Sequence, residues 1–242
     1  MTQPAVKFDE TTEGVGYHAM SPAAVGSLVL GLLSPLALVG SLLWILPAVG
    51  IALAVIALRA IRRSKGDVTG ARAAYAGMAL CTIFAAAGPV KAAYTTHYLA
   101  AASRPIVEGW FDFLRKGEPH KALQLTMPPA QRRVLNDLLW NYYSGSKETR
   151  GELEKFVASS VPRFLLEHGD KCQVRFYEIN RVTPGPSSDT IELVYVVTYP
   201  DAAGQKKSFF VLFTVERRPL QSGEISWRIV NNIGGFRPAS ML

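Results

Sequence analysis

The chain has 242 residues, a formal net charge of +7 at pH 7 and a mean hydropathy of +0.15. This composition is apolar for a soluble protein, and no basic run is interleaved with aromatic residues, so we do not expect nucleic acid as a partner. The two cysteines, Cys81 and Cys172, lie in different parts of the sequence, which argues against a disulfide framework.

Charged residues are distributed unevenly along the chain. None occurs over 14–58 or over 73–90, whereas the sequence after residue 103 has an ordinary density of charge. This division predicts a polar N-terminal tail, a transmembrane helical domain and a globular domain, over 1–20, 21–98 and 103–242 respectively.

The first charge-free stretch holds 45 residues, whereas a bilayer core about 30 Å thick takes roughly 20 helical residues. Two arrangements remain open. One is a hairpin with arms over 21–38 and 43–60 and a turn at 39–41. The other has a break at Ser34-Pro35 and a single span over 36–58. We prefer the hairpin, because it places Trp44 at the headgroup level, where indole rings are favoured.

A further span is predicted over 71–87, and Gly88-Pro89 with Lys91 marks its exit from the membrane. Small residues recur at every fourth position in this span, and we take them as helix-packing residues: Ala73, Gly77, Cys81 and Ala85. Small residues one turn apart let membrane helices approach closely. A chance spacing in an alanine-rich helix is the alternative.

A short basic loop over 59–72 separates the apolar segments. Its cations are the predicted topology determinants: Arg59, Arg62, Arg63, Lys65 and Arg72. Short loops rich in Lys and Arg stay in the cytoplasm, so the last span must lead outward. We therefore expect a multi-pass protein of the bacterial inner (plasma) membrane with an extracytoplasmic C-terminal domain, in contact with membrane lipid.

Two stretches of the apolar half resemble a bacterial membrane domain of unknown function, the four-one-nine-zero family. They are "SLVLGLLS" at 27–34 and "GIALAVIALRAIRRSKGDVTGARAAYAGMAL" at 50–80. The resemblance covers about 21–90, although "GMALCTIF" stands where the family has a Gly-rich apolar repeat. It implies residence in a membrane and no particular chemistry.

The globular half combines helical spacing with a later period of two. Ser103 is a candidate N-cap, and Ile106, Val107, Trp110 and Leu114 follow on one helical face. Four strands are then predicted: "CQVRFYEI", "TIELVYVVTY", "KSFFVLFTVE" and "ISWRIVNNI". The short loops between them predict hairpins. The predicted fold class is therefore membrane helices, in two or three spans, followed by an α+β domain with a four-stranded antiparallel meander.

The order of elements, and "VEGWFDFLRKGEPHKALQLT" at 107–126 in particular, is similar to the nuclear-transport-factor-two-like cone of the SnoaL-like proteins. This resemblance covers about 103–235. It implies a cone-like domain around an apolar pocket, for which our candidate lining residues are Trp110, Tyr195, Tyr199, Phe213 and Trp227. The fold serves enzymes and binding modules alike.

No catalytic residue, metal site or cofactor is predicted. The four histidines lack metal-ligand spacing, and His120 and Asp112 are expected on the surface. We therefore expect an interaction module without catalysis, whose partners include an envelope protein, a small apolar ligand or a second copy of the chain. The alternative is a membrane-tethered enzyme of the isomerase-like or hydrolase-like cone type. The aromatic stretch "WNYYSGS" at 140–146 is either core or a contact surface.

Overall fold

The computed structural model describes residues 19–64, 68–238 and 240. It divides into two units, one up to Tyr94 and one from Thr95 onward. Most of the predicted polar tail lies outside the described residues, and so does Lys65 of the basic loop.

The first unit is built on a helical hairpin. Its first arm is α1 (Pro22–Leu33), which continues without a break as a 3₁₀ helix over Ser34–Leu38. The second arm is a 3₁₀ turn over Ser41–Trp44 followed by α2 (Ile45–Arg63). The arms are antiparallel, because a Cβ at Gly26 would lie 3.5 Å from Leu53 Cδ1 and one at Gly50 would lie 3.2 Å from Leu30 Cβ.

Two short strands lie at the open end of this hairpin. β1 (Ala19–Met20) pairs in parallel with β2 (Val68–Thr69), and the backbone N–H of Ser21 donates to the carbonyl of Thr69 at 3.1 Å. The start of α1 and the start of the next helix, α3 (Ala71–Arg115), are therefore neighbours. The chain returns to the end at which the hairpin began before it enters α3.

The helix α3 corrects two predicted boundaries, because it does not end at Gly88-Pro89 and no new helix begins at Ser103. The hydroxyl of Ser103 donates back to the carbonyl of Ala100 at 2.9 Å, as a serine inside a helix can. Pro105 removes one backbone donor, but the carbonyl that loses its partner belongs to Ala101, which is solvent-exposed.

Four short helices follow in the second unit: α4 (Pro119–Gln124), α5 (Leu138–Gly145), α6 (Lys147–Ala158) and α7 (Ser160–His168). Ser146 caps α6, since its hydroxyl accepts a hydrogen bond from the backbone N–H of Thr149 at 3.2 Å.

The sheet confirms the predicted order of helices first and an antiparallel meander afterwards. Its strands are β3 (Gln173–Thr183), β4 (Asp189–Pro200), β5 (Lys206–Pro219) and β6 (Ile225–Gly234), and they are adjacent in that order. Register shifts in β3 and between β5 and β6 mark bulges, which bend a sheet. One face of the bent sheet packs on α3, and the main core lies between them.

Candidate functional site

The residues predicted to line a pocket form a closed core instead. Trp110, Tyr195 and Phe213 are fully buried. The ring of Phe213 lies 5.2 Å from that of Trp110 and 5.9 Å from that of Tyr195, centroid to centroid, in edge-to-face contacts. Phe111, which was not a candidate, fills the space between them at 5.4 Å from Trp110 and 5.5 Å from Tyr195.

The other two candidates are half-buried and pack against this core from its periphery. Tyr199 packs edge-on against Phe164 of α7, with 4.7 Å between ring centroids. Trp227 lines a shallow groove of about 450 Å³ together with Val134 and Ile225. The five predicted pocket residues are therefore not brought together around one cavity.

Apart from the thiol of Cys172 and the phenol of Tyr195, the side chains of this core are apolar. Burial raises the pKa of Tyr195 far above its usual range, so this phenol stays neutral. Trp110 Nε1 and Tyr195 Oη have no hydrogen-bond partner in the described structure. These positions have the character of packing residues.

A groove on the helical side of the second unit is the better candidate for a binding site. It has a volume of about 880 Å³ and lies between α5, α6, α7 and Pro119. Its floor consists of apolar and aromatic side chains: Trp140, Tyr143, Leu153, Val157 and Leu166. Ligand sites are concave and mainly apolar, and their volumes are typically about 300–1,000 Å³, so the groove has a suitable size and lining.

The rim of the groove carries both signs of charge. Arg163 and Glu167 form an ion pair one helical turn apart, at 2.9 Å. The guanidinium of Arg150 donates to the carbonyl of Ser144 at 2.8 Å, and Glu154 completes the rim. An occupant with an apolar body and a polar end fits this arrangement better than a highly charged one.

A buried polar network supports the groove from beneath. Gln124 Nε2 lies 2.6 Å from Tyr143 Oη, and the backbone N–H of Arg133 donates to Gln124 Oε1 at 2.6 Å. The guanidinium of Arg132 donates to the carbonyls of Gln124, Met127 and Trp227. Because nearly every polar atom in this network has a partner, α5 is held in one position. Sequence inspection missed it, since its members are spread over 124–227.

His120 is buried rather than placed on the surface, with only 8% of its area exposed. Its ring lies edge-on to that of Trp140, 5.4 Å away, and its Nδ1 has no hydrogen-bond partner in the described structure. Burial lowers the pKa of His120, the Lys121 ammonium lowers it further, and Glu118 opposes both. Asp112 is exposed, as expected, and lies 3.6 Å from Arg115.

The aromatic stretch at 140–146 divides between core and surface. Tyr143 is buried in a small second core with Leu123, Leu139 and Leu153. Trp140 and Tyr142 are exposed on the same helix, α5. Within the described residues, no group of three or more His, Cys, Asp or Glu side chains is arranged to hold a metal ion.

The first unit packs in an unusual way, with small side chains inside and large apolar ones outside. Its buried residues on the hairpin are Ala24, Ser27, Gly31, Ser34, Ala37, Pro47, Gly50, Ala54 and Ala57. Its exposed residues include Val25, Val29, Leu32, Leu36, Leu42, Ile45, Val49, Ile56 and Ile83. Two helices, within 42–63 and 71–115, are long and apolar enough to cross a membrane.

Two of the four predicted packing residues of α3, Gly77 and Cys81, are buried at close helix contacts. A Cβ at Gly77 would lie 2.6 Å from the carbonyl oxygen of Ser27. Ala73 and Ala85 are only half-buried, and Ala74 and Gly88 continue the buried stripe instead. A strict four-residue spacing drifts by about 40° per step around a helix of 3.6 residues per turn, which moves the outer two members off the contact line.

Polar contacts close the far end of the hairpin. Trp44 Nε1 donates to the carbonyl of Ala37, and Lys91 Nζ donates to the carbonyl of Leu38, both at 3.0 Å. These carbonyls belong to the end of the first arm, where a helix leaves acceptors without partners. The described members of the basic loop, Arg59, Arg62, Arg63 and Arg72, are all exposed.

No protein-family model matches the chain, so the resemblance of 21–90 to the four-one-nine-zero family has no support beyond the residues that suggested it. No curated protein matches the chain either.

Two solved structures are similar to the chain. One, described as a calcium/calmodulin-dependent protein kinase II association domain from Xanthomonas campestris, is 18% identical with a TM-score of 0.34, over 56% of this chain and 86% of that one. The other, an NTF2-like protein with a cystatin-like fold from Novosphingobium aromaticivorans, is 14% identical with a TM-score of 0.35, over 60% and 87%.

Proposed function

We propose that this protein is a membrane-anchored binding module, whose helical unit lies in the inner membrane of a bacterium and whose α+β domain binds a partner outside the cytoplasm without catalysis. The observation that carries the proposal is the packing of the first unit, in which small residues face inward and Leu, Ile and Val face outward. In water this surface would be a large exposed apolar patch, whereas in lipid it is the expected exterior.

The lengths of the helices support this placement. Residues 42–63 and 71–91 each span about 30 Å at 1.5 Å per residue, which is the thickness of a bilayer core. Trp44 and Lys91 mark one end of the helices, and the exposed arginines of the basic loop mark the other. Tryptophan and lysine are both favoured at the headgroup level.

The basic loop gives the proposed orientation. Short loops rich in arginine stay in the cytoplasm, so 59–72 is cytoplasmic, and α3 leads outward past Lys91. On the hairpin arrangement the N-terminal tail is also cytoplasmic. The domain that follows Thr95 is then displayed on the outer side of the membrane.

The groove between α5, α6 and α7 supports binding as the role of that domain. The core of the cone is occupied by its own aromatic rings, so the groove is the larger apolar concavity that a ligand reaches. A small apolar molecule and an apolar segment of an envelope protein both suit its floor. Tethering to a membrane raises the effective concentration of the domain toward such partners.

Two measurements test this proposal. The full chain should remain in the membrane pellet after carbonate extraction. A benzoylphenylalanine placed at Leu166, on the groove floor, should cross-link a discrete partner in cells, and Leu153→Glu should abolish that product. The same probe at Val230, exposed on β6 outside the groove, is the control. Extraction into the supernatant would refute anchoring, and equal products from both positions would refute the groove.

One observation favours the alternative, a membrane-tethered enzyme. His120 is buried beside Trp140 on the groove floor, and its Nδ1 is without a partner in the described structure. A neutral imidazole of this kind can accept a proton. His120→Gln would then abolish turnover of any substrate found in the groove while leaving its binding intact.

A further inference from the structure

A second surface, distinct from the groove floor, remains without a role in the proposed binding function. Within nine consecutive residues the chain exposes four large apolar side chains that lie outside the groove, and we call them the apolar strip: Val134, Leu135, Leu138 and Tyr142. Val134, Leu138 and Tyr142 line one small depression together with Arg132 and Arg133. Val134 is 76% exposed and Leu138 is 68% exposed. Single exposed apolar residues are ordinary, but a contiguous set marks an interaction surface.

The fold holds this strip in position. Arg132, directly before it, donates to the carbonyls of Gln124 at 3.0 Å and Trp227 at 2.8 Å, which ties the segment to both α4 and β6. Leu139 and Tyr143 of the same helix, α5, are buried in the second core. The exposed side chains are therefore presented from a fixed backbone, and their exposure does not come from a loosely attached segment.

The charges around the strip favour contact with an apolar surface that is neutral or negatively charged. The guanidinium of Arg133 lies over the ring of Tyr142, 3.7 Å from its centroid. Asp137 is the only acid within 132–142, and Lys121 lies 3.9 Å from it. Aliphatic tips, a Tyr and arginines together are typical of surfaces that enter the interface of a bilayer.

We propose that the apolar strip docks on the lipid surface of the membrane that anchors the chain. This inference rests on the proposed function, since the anchor keeps a lipid surface permanently within reach and raises its effective concentration. Val134 and Leu138 would enter the boundary between headgroups and acyl chains, at a depth of about 5–10 Å. Arg133 would lie at the level of the lipid phosphates, where cations gain from anionic headgroups.

The test uses the full chain in vesicles of phosphatidylcholine and phosphatidylglycerol, at high dilution of protein in lipid. A fluorescent thiol label is attached to Leu138→Cys on the strip, to Val230→Cys on β6 as an exposed control, and to Val49→Cys on the outside of α2. The native Cys81 and Cys172 are buried, so the unsubstituted chain serves as a labelling blank. Lipids carrying a quencher in the upper acyl chain then report contact with the bilayer.

We expect the label at Leu138 to be quenched about threefold more strongly than the label at Val230, and the label at Val49 to be quenched as well. If the label at Val49 is quenched while the labels at Leu138 and Val230 are quenched equally weakly, the docking proposal is wrong and the anchoring proposal is still supported. Absence of quenching at Val49 would overturn the anchor itself. A label at Leu138 that is shielded from water but not quenched would mean that protein, not lipid, covers the strip, which also overturns the inference.

Discussion

Gly77 in α3 lies directly on the backbone of Ser27 in α1. A Cβ built on Gly77 would come within 2.6 Å of both the carbonyl carbon and the carbonyl oxygen of Ser27. The neighbour is backbone, which cannot rotate away as a side chain can. The two helices can therefore approach this closely only because residue 77 has no side chain.

Gly77→Ala should separate α1 from α3 and destabilise the helical unit by about 1–3 kcal/mol, the usual cost of overpacking. Gly109→Ala is the matched control in the same helix, because nothing lies within 4 Å of a Cβ there. It should be neutral or stabilising by up to about 1 kcal/mol, through helix propensity. Unfolding of the full chain in detergent, followed by circular dichroism, measures both. Equal stability of the two variants would contradict the close contact.

Gln124→Met should destabilise the second unit by about 2 kcal/mol, because it leaves the buried hydroxyl of Tyr143 and the partly buried backbone N–H of Arg133 without their partner. Gln131→Met changes an exposed glutamine, and its effect should stay within about 0.5 kcal/mol. The double variant Gln124→Met/Tyr143→Phe should be more stable than the sum of the single effects predicts. Additive effects would mean that the two side chains do not interact.

We expect Glu216 to make the stability of the fold depend on pH in the acidic range. Burial raises the pKa of Glu216, but hydrogen bonds from Arg218 and Arg228 outweigh burial and hold the pKa below its ordinary value. Because the folded state binds the proton more weakly than the unfolded state, this stabilisation is complete above the ordinary glutamate pKa of about 4.3 and is lost as the pH falls below it.

The unfolding midpoints of Glu216→Gln and of the control Glu148→Gln are measured at neutral pH and at about pH 3. Glu148 is the control because its side chain is exposed. The first variant should lose stability at neutral pH and depend less on acid than the unsubstituted chain. The second should behave as the unsubstituted chain does. An unchanged acid dependence in Glu216→Gln would show that this pair of arginines contributes nothing.

We expect His120 to add a second dependence of folding stability on pH, at pH values closer to neutral. Burial lowers the pKa of His120, so its contribution to stability is present above the ordinary histidine pKa of about 6.5 and is lost as the pH falls below that value. His120→Phe should flatten the loss of stability between pH 7 and about pH 5. His168→Phe is the control, because His168 Nδ1 lies 3.0 Å from the carbonyl of Phe164. A slope that survives His120→Phe would refute the assignment.

The elements with a strong local period could be predicted from the sequence. The predicted positions of all four strands agree with the structure to within a few residues. The small residues on α3 likewise indicated close helix contacts, which Gly77 and Cys81 make. The continuity of α3 could not be found in this way, because Ser103 and Pro105 locally favour the start of a new helix. Burial of Val107 and Trp110 along one continuous helix outweighs that preference.

The candidate site depends on contacts that no local pattern reveals. The groove joins Pro119 to Glu167 across three helices, and its support depends on Gln124 meeting Tyr143. The aromatic side chains of β4 and β5 suggested a pocket, but the alternation of apolar and polar residues along a strand indicates only which side chains face inward. It does not tell whether Phe111 and Phe213 leave space between them, which is decided by side-chain volume across the two layers.

The most direct test of the account is the side of the membrane on which each end of α3 lies. Thr69→Cys and Gln221→Cys introduce exposed thiols, in the basic loop and in the β5–β6 turn, while the native cysteines are buried. A membrane-impermeant maleimide applied to spheroplasts should label the thiol at 221 at once and the thiol at 69 only after permeabilisation. Labelling of 69 without 221 in sealed cells would contradict an anchored, extracytoplasmic binding domain.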